Sequence, residues 1–290
     1  MAVAVEAVVI VGDDRQAACA IALHRRGWRV HCLGRAVPGL PASADPAVVA
    51  GADVVVGPVT GFEAGRFAGA PEGLVLEPER LPFRSGALYV GGRPDAALRR
   101  VLADRGARCY DLLEDEAFTA ANAWPTAEAA VLRAQLLGRR VIAGQVVAVL
   151  GFGRCGRALA RLLQGMGATV TVVARRPEQR QEAAAQGLDA LPFDRLPEAL
   201  QRAGLVFNTV PAPVLGREAL ARLRLDALVI DIASRPGGVD WDAARELGVA
   251  AHLELGLPAR FFPVTAGELL AEAVERVVAG APRQETRQES

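Results

Sequence analysis

The chain has 290 residues, 51% of them hydrophobic, so it is long enough for two domains with buried cores. Its 33 basic residues balance its 33 acidic residues, which gives no reason to expect a nucleic acid or an anionic membrane as a partner. The four cysteines are scattered without a CxxC pair, which indicates reduced thiols in the cytoplasm. We expect no metal site and no membrane span.

Short apolar runs alternate with helical patterns along the first half of the chain. The predicted strands are residues 7–11, 29–33, 53–56, 87–90 and 108–112. Residues 15–26, between the first two, have helical spacing. Continuous apolar runs of this length are typical of strands buried on both faces of a parallel sheet. Residues 1–121 are therefore predicted to form an α/β domain on the substrate side, of the Rossmann or flavodoxin type.

The domain boundary is predicted at residues 122–125, because Pro125 cannot continue a helix but can begin one. Residues 126–139 then predict a linking helix. The predicted strands of the second domain, residues 122–290, are 146–150, 169–174, 205–208, 228–232 and 250–253. A closing helix over residues 268–278 is expected to pack back. The predicted fold class is α/β, with two doubly wound parallel sheets.

A GxGxxG motif follows the first strand of the second domain and precedes an amphipathic pattern over residues 157–167. The first glycine permits the turn, the second lets the backbone approach a pyrophosphate, and the third lets the helix pack on the strand. The amides that open the helix attract phosphate. This pattern predicts a Rossmann NAD(P)-binding domain. Its predicted contacts are Gly151, Phe152, Gly153, Arg154, Cys155 and Gly156.

The end of the next strand indicates which dinucleotide is bound. NAD enzymes usually place an acidic residue there for the ribose 2′-hydroxyl. This chain has Arg175 and Arg176 instead, and two guanidiniums suit a 2′-phosphate. The sequence therefore favours NADP, with NAD as the alternative.

Three later loops complete the predicted site. One follows the strand at residues 205–208, and another precedes the closing helix. Their predicted cofactor contacts are Asn208, Thr209, Val210, Pro211, Thr265 and Gly267. The third follows the strand at residues 228–232 and carries Ser234 and Arg235. A guanidinium at the carboxyl end of a strand can bind a substrate carboxylate through two hydrogen bonds, and the serine hydroxyl adds a donor. An exposed arginine in a glycine-rich turn is the alternative interpretation.

Seven stretches together resemble the A-subunit family of dipicolinate synthase from endospore-forming bacteria. They are GDDRQ (12–16), NAWPTAE (122–128), VAVLGFGRCGRALAR (147–161), NTVPA (208–212), DIASRPGGVD (231–240), GLP (256–258) and TAG (265–267). The resemblance implies oxidation of a dihydrodipicolinate-type ring, derived from a lysine-pathway precursor, to pyridine-2,6-dicarboxylate during sporulation. It also implies NADP as the oxidant and, as the partner, a smaller, flavoprotein-like B subunit. We also expect a homo-oligomer.

A small dicarboxylate substrate requires cationic and hydroxyl donors, for which Arg235, Ser234, Asn122 and Thr126 are the candidates. We identify no general base, and the position of His252 inside a predicted strand indicates a core residue. The sequence departs from the family pattern at Ala123, where serine is common, and at Val264, where lysine is common. Any substrate contact made by those polar groups is absent from this chain.

Two alternative functions stay open. A 2-hydroxyacid dehydrogenase would need a catalytic histidine near the final loop, and residues 261–267 contain none. A non-catalytic subunit that binds the dinucleotide and regulates its partner is the second alternative, since no general base is evident.

Overall fold

The computed structural model describes residues 4–63, 70–72, 74–77 and 80–280. These residues form two compact units, one from residues up to Asn122 together with those from Pro258 onward, and one from Ala123–Leu257. Each unit contains a parallel six-stranded sheet with flanking helices, so the predicted α/β fold class is confirmed. None of the helices in the described part of the chain has the length and apolar character required to span a bilayer.

The first unit is built around a strand that is buried on both faces. Its strands are β1 (Glu6–Val11), β2 (Arg29–Gly34), β3 (Ala42–Ser43), β4 (Val54–Val56), β5 (Leu88–Gly91) and β6 (Arg108–Asp111), in the sheet order β3–β2–β1–β4–β5–β6. Along β1, Val9 and Val11 enter one core cluster, while Val8 and Ile10 enter the other. Because alternate side chains of β1 enter cores on opposite faces of the sheet, every position of the strand is apolar from Ala7 to Val11. Helix α1 (Asp14–Arg25) follows β1, and helix α2 (Ala96–Asp104) follows β5.

The second unit has the strand order of dinucleotide-binding Rossmann folds. Its strands are β7 (Val146–Leu150), β8 (Thr169–Val173), β9 (Asp189–Leu191), β10 (Leu205–Asn208), β11 (Leu228–Asp231) and β12 (Ala250–Leu253), in the order β9–β8–β7–β10–β11–β12. Its helices are α4 (Arg154–Gly165), α5 (Pro177–Ala185), α6 (Leu196–Arg202), α7 (Arg217–Leu220) and α8 (Trp241–Glu246). Because β7 lies between β8 and β10, the chain reverses direction across the sheet there, and this order places the ligand crevice at the carboxyl ends of β7 and β10.

The predicted helix break at Pro125 is wrong. Helix α3 runs unbroken over Glu116–Gly138 with Pro125 inside it. A proline removes one backbone donor, but the neighbouring alanines of the sequence, including Ala123 and Ala127, favour the helix, and Pro125 is buried. The boundary between the units falls within this helix, one residue after the predicted end of the first domain.

The C-terminal helix lies in the first unit, whereas we expected it in the second domain. A short helix, α9 (Leu257–Phe261), precedes helix α10 (Pro263–Gly280). Helix α10 packs along α1, and a Cβ atom on Gly267 would lie 2.5 Å from the Cβ of Ala18. Arg276 Nη2 also donates to Asp115 Oδ2 over 2.7 Å. Chain order alone suggested the second domain, but the small residues of α1 and α10 permit a close helix contact that the pattern did not reveal.

Candidate functional site

The glycine-rich turn joins β7 to α4, as predicted. Gly151 has φ +92°, and a Cβ atom there would lie 2.4 Å from Thr209 Oγ1. A Cβ atom on Gly156 would lie 2.2 Å from the carbonyl oxygen of Gly151, so only glycine lets the helix begin this close to the strand. A Cβ atom on Gly153 would meet nothing within 4 Å. The first and third glycines are thus required by the fold, whereas the second leaves open space beside the backbone.

The beginning of α4 can receive an anion. Gly153 is the N-cap residue, and no side-chain cap is found there among the described residues. Because glycine has no side chain, the N-cap residue offers no capping oxygen to the first turn of α4. The amides that open a helix and the helix dipole together favour a phosphate at such a position. The turn consequently fits the pyrophosphate of a dinucleotide.

The side chain of Phe152 serves the core of the second unit. The ring is buried, and the backbone carbonyl of Phe152 accepts a hydrogen bond from Gln179 Nε2 over 3.0 Å. The Arg157 guanidinium lies 5.4 Å from the ring centroid and pairs with Glu182. Any cofactor contact by Phe152 is therefore limited to its backbone. The neighbouring Cys155 is half-buried, and burial raises the pKa of its thiol, which disfavours the nucleophilic thiolate.

Two exposed arginines follow β8. Arg175 and Arg176 are exposed, and neither has a carboxylate partner among the residues that the structure describes. Arg180 Nη1 donates to the carbonyl oxygens of Ala174 and Arg175 over 2.9 Å and 2.7 Å, which fixes the backbone of this turn. The turn thus presents two unneutralised guanidiniums at the carboxyl end of the strand next to β7.

The side chain of Asn208, a predicted cofactor contact, makes hydrogen bonds within the chain. It is fully buried, and its Nδ2 donates to Asp231 Oδ1 over 2.9 Å and to the carbonyl oxygen of Val210 over 3.1 Å. Its Oδ1 accepts from the Val210 amide over 3.0 Å. The amide group therefore shapes the loop after β10. Thr209 extends this function, because its hydroxyl donates to the carbonyl oxygen of Leu150 over 2.9 Å and holds the loop above Gly151.

Asp231 is an organising residue that we did not predict from the sequence. Its side chain is fully buried at the end of β11, opposite Asn208 in the sheet register. Besides Asn208, its carboxyl oxygens accept from the amides of Ala233 over 3.0 Å and Gly238 over 2.7 Å. One carboxyl group thus ties together the loops after β10 and β11. The signal was present, since an acidic residue directly after three buried apolar residues must find hydrogen-bond donors.

The predicted substrate residues lie in an exposed turn after β11. The Gly237 amide donates to the carbonyl oxygen of Ser234 over 3.0 Å, and the side chains of Ser234 and Arg235 are exposed. Arg235 lines an open pocket that also contains Trp241 and His252. We expected His252 to be a core residue. It is instead half-buried in β12 and lies at the wall of this pocket.

The remaining predicted residues lie on helices. Asn122 and Thr126 are half-buried and four residues apart on α3, so they share one face of that helix. Thr265 is exposed in the first turn of α10. Gly267 is buried against α1, where its missing side chain permits helix packing. This contact gives Gly267 a structural reason that the prediction of a cofactor contact did not consider.

Comparison with known proteins identifies relatives by sequence and by structure. Residues 111–246 match the NAD-binding domain of D-isomer-specific 2-hydroxyacid dehydrogenases. The dipicolinate synthase A chain of Bacillus subtilis is 33% identical over 188 residues, 65% of this chain and 63% of that relative. The crystal structure of the corresponding chain from Bacillus halodurans is 28% identical with a TM-score of 0.86, covering 95% of this chain and 98% of that chain. The chain is similar in sequence and in structure to the dipicolinate synthase A chain.

The resemblance stated from the sequence motifs is thereby confirmed. The homologue and the matching NAD-binding domain support an oxidoreductase with a nicotinamide dinucleotide cofactor. The transhydrogenase of Sinorhizobium meliloti, at 15% identity and a TM-score of 0.66, shares the fold alone. The sequence alignment with the Bacillus subtilis protein spans less than two thirds of its length, so its activity and partners enter below as proposals.

Proposed function

We propose that this chain oxidises a dihydrodipicolinate-type ring to pyridine-2,6-dicarboxylate, with NADP as the hydride acceptor, during sporulation. The observation that carries this proposal is the glycine turn at β7, with open space beside Gly153 and two exposed arginines at the end of β8. The homology to the dipicolinate synthase A chain supplies the substrate class. A cytoplasmic location and a flavoprotein-like B subunit belong to the same proposal, together with assembly into a homo-oligomer.

The residues of this chain bind and orient the two reactants. The amides that open α4 hold the pyrophosphate, and Arg175 and Arg176 hold the 2′-phosphate. When bound, the nicotinamide ring supplies an acceptor for the hydride that leaves a carbon of the substrate ring. Arg235 binds a substrate carboxylate with its guanidinium fork, and Ser234 donates its hydroxyl to the same group. The second hydrogen leaves the substrate ring as a proton to solvent, and aromatisation lowers the need for a strong base.

Asp231 has an indirect role in this scheme. It holds both the loop above Gly151 and the turn that carries Arg235, through the hydrogen bonds described above. The two binding loops are thus fixed by one buried group before any ligand arrives, which lowers the entropic cost of binding. Asn122 and Thr126 stay predicted substrate contacts on α3, and Pro211 and Thr265 stay predicted cofactor contacts.

The choice of NADP predicts a selective loss of affinity. Replacing Arg175 and Arg176 together by alanine is expected to weaken NADPH binding about 10- to 100-fold, because charged hydrogen bonds to the 2′-phosphate are lost. NADH binding should change little, as measured by isothermal titration calorimetry. Arg161→Ala, an exposed position on α4, is the matched control and should bind both dinucleotides normally. An equal loss of both dinucleotides in the double variant would contradict the assignment.

Arg235 provides a test of substrate binding. Arg235→Lys keeps the charge but loses the two-pronged hydrogen bond, so KM for the ring substrate is expected to rise about tenfold. The Kd for NADPH should stay at the wild-type value. The control is Arg245→Lys on α8, where the arginine pairs with Asp242 at the surface. An unchanged KM in Arg235→Lys would remove this residue from the substrate site.

The reaction itself is tested by mixing the chain with NADP and a dihydrodipicolinate preparation and following NADPH absorbance. The proposal expects NADPH and pyridine-2,6-dicarboxylate in equal amounts, with the chain alone or after addition of the B subunit. No turnover in either case, with tight NADPH binding retained, would favour the regulatory function instead. Turnover of 2-hydroxyacids but not of the ring would favour the 2-hydroxyacid dehydrogenase alternative.

A further inference from the structure

Arg15 is a buried arginine whose hydrogen-bonding capacity is mostly unused. Its side chain is 4% exposed, and its Nε atom has no acceptor among the described residues. Within that part of the chain, its guanidinium donates one hydrogen bond, from Nη2 to Asp13 Oδ2 over 3.3 Å. A guanidinium has five N–H donors and stays charged in proteins. Among the described residues, this cation therefore lacks the acceptors that burial normally requires.

Such an arrangement is costly for a residue with a purely structural function. Buried polar groups in native proteins are nearly always hydrogen-bonded, and a buried charge is normally paired with good geometry. The contact with Asp13 is long, and Nε has no partner among the described residues. A planar group with two acceptor oxygens can accept from Nε and from a neighbouring terminal nitrogen at once.

Arg15 lies at the point of the first sheet where α/β proteins commonly bind ligands. It lies in the first turn of α1, directly after β1, and β1 lies between β2 and β4. The chain reverses direction across the sheet there, and ligands of open α/β sheets bind at such points. The same place in the second unit, between β7 and α4, has the glycine turn.

The two helix starts differ in what they offer to an anion. Asp13 caps α1, accepting from the Gln16 amide over 3.1 Å, and Gln16 Oε1 accepts from the Asp13 amide over 2.9 Å. This capping box occupies the start of α1, which makes it unsuitable for a pyrophosphate. The Arg15 guanidinium is then the donor that remains, and the capping box holds the turn that carries it.

We propose that Arg15 is the centre of a carboxylate-binding site in the first unit, which takes a carboxylate group of a small organic acid. The choice of pyridine-2,6-dicarboxylate as the acid rests on the proposed function. The site itself follows from the buried guanidinium, its missing acceptors among the described residues and its place at the reversal point of the sheet. A carboxylate would complete the hydrogen bonding of Nε and of one Nη atom together.

The test compares three variants of the full chain, with pyridine-2,6-dicarboxylate as the probe in isothermal titration calorimetry. Arg15→Met and Arg15→Lys should each bind the probe about 10- to 100-fold more weakly than wild type, because both lack the fork. Arg35→Met removes a guanidinium that pairs with Asp14 at the same helix turn, and it should bind the probe normally. Without ligand, Arg15→Met should melt at or above the wild-type temperature, since it removes a poorly compensated buried charge.

Several results would overturn the proposal. Wild-type affinity for the probe in Arg15→Lys, or no binding of the probe by the wild-type chain, excludes the site. A lower melting temperature in both Arg15 variants with unchanged probe affinity would assign the arginine a structural role. NADPH binding is measured in parallel. If the wild-type chain neither binds NADPH nor turns over the ring substrate, the proposed function is wrong. Weaker binding of the probe in the Arg15 variants alone would still support this site.

Discussion

Replacing Gly153 with valine is expected to abolish dinucleotide binding while the second unit stays folded. A side chain at this position would meet no protein atom within 4 Å, so the fold has room for it. The φ of −80° at Gly153 is also open to any residue. The new side chain would, however, occupy the space where the pyrophosphate approaches the backbone. We expect NADPH affinity to fall by about 100-fold or more, roughly 3 kcal/mol of binding free energy.

Gly165→Val is the matched control for this experiment. Gly165 ends the same helix, and a Cβ atom there also meets nothing within 4 Å. Both variants should retain nearly wild-type circular dichroism and thermal stability, and only Gly153→Val should lose NADPH binding in fluorescence titrations. Retained affinity in Gly153→Val would mean that the turn is a structural feature without a ligand.

Replacing Asp231 with alanine is expected to have the largest effect on stability. The carboxyl group is fully buried and accepts hydrogen bonds from Asn208 Nδ2 and from the amides of Ala233 and Gly238. Alanine would leave the amides of Ala233 and Gly238 and one N–H of Asn208 Nδ2 buried without an acceptor, while the other N–H of Nδ2 keeps the carbonyl oxygen of Val210. Because each unsatisfied buried donor costs about 1–3 kcal/mol, the free energy of unfolding should fall by roughly 3–5 kcal/mol. Chemical denaturation measures this loss.

The control for Asp231 is an acidic residue at the surface. Asp226 pairs with Arg224 and Arg140 at exposed positions, so Asp226→Asn should change the stability very little. Asp231→Asn keeps the shape of the side chain but turns an NH₂ group toward a donor, and its loss should lie between those two variants. If Asp231→Ala were as stable as Asp226→Asn, the buried hydrogen-bond network would have no energetic importance.

The sequence was most informative where a long-range fold leaves a strong local pattern. The strands predicted at residues 146–150, 205–208 and 250–253 agree with β7, β10 and β12. Continuous apolar runs are required wherever a parallel strand is covered on both faces, so burial is visible in the sequence. The two- and three-residue edge strands β3 and β9 left no such pattern and were missed.

Local patterns do not show contacts that join residues far apart in the chain. Gly267 was predicted as a cofactor contact from a loop motif, and the structure adds a packing requirement for glycine at this position, because Ala18 of α1 lies opposite. Pro125 looked like a helix start, yet the helix continues because the surrounding alanines favour it and one lost hydrogen bond is tolerated. Local propensity cannot report which helix a segment will contact.

The sequence predicted the location of the candidate site better than the function of its individual side chains. The motif identified the glycine turn, and the absence of an acidic residue after β8 identified the free arginine pair. Asn208 lies at the predicted place, but its amide is consumed by Asp231 and by Val210. Whether a polar side chain at a strand end faces a ligand or a neighbouring loop depends on adjacent strands, and this information is absent from a single segment.

A crystal structure of the chain with NADPH tests the central claim most directly. We predict the pyrophosphate against the amides at the start of α4, beside Gly153, and the 2′-phosphate between the guanidiniums of Arg175 and Arg176. Density for the dinucleotide elsewhere in the chain, or a ligand-free turn at saturating NADPH, would contradict the assignment of this turn as the cofactor site.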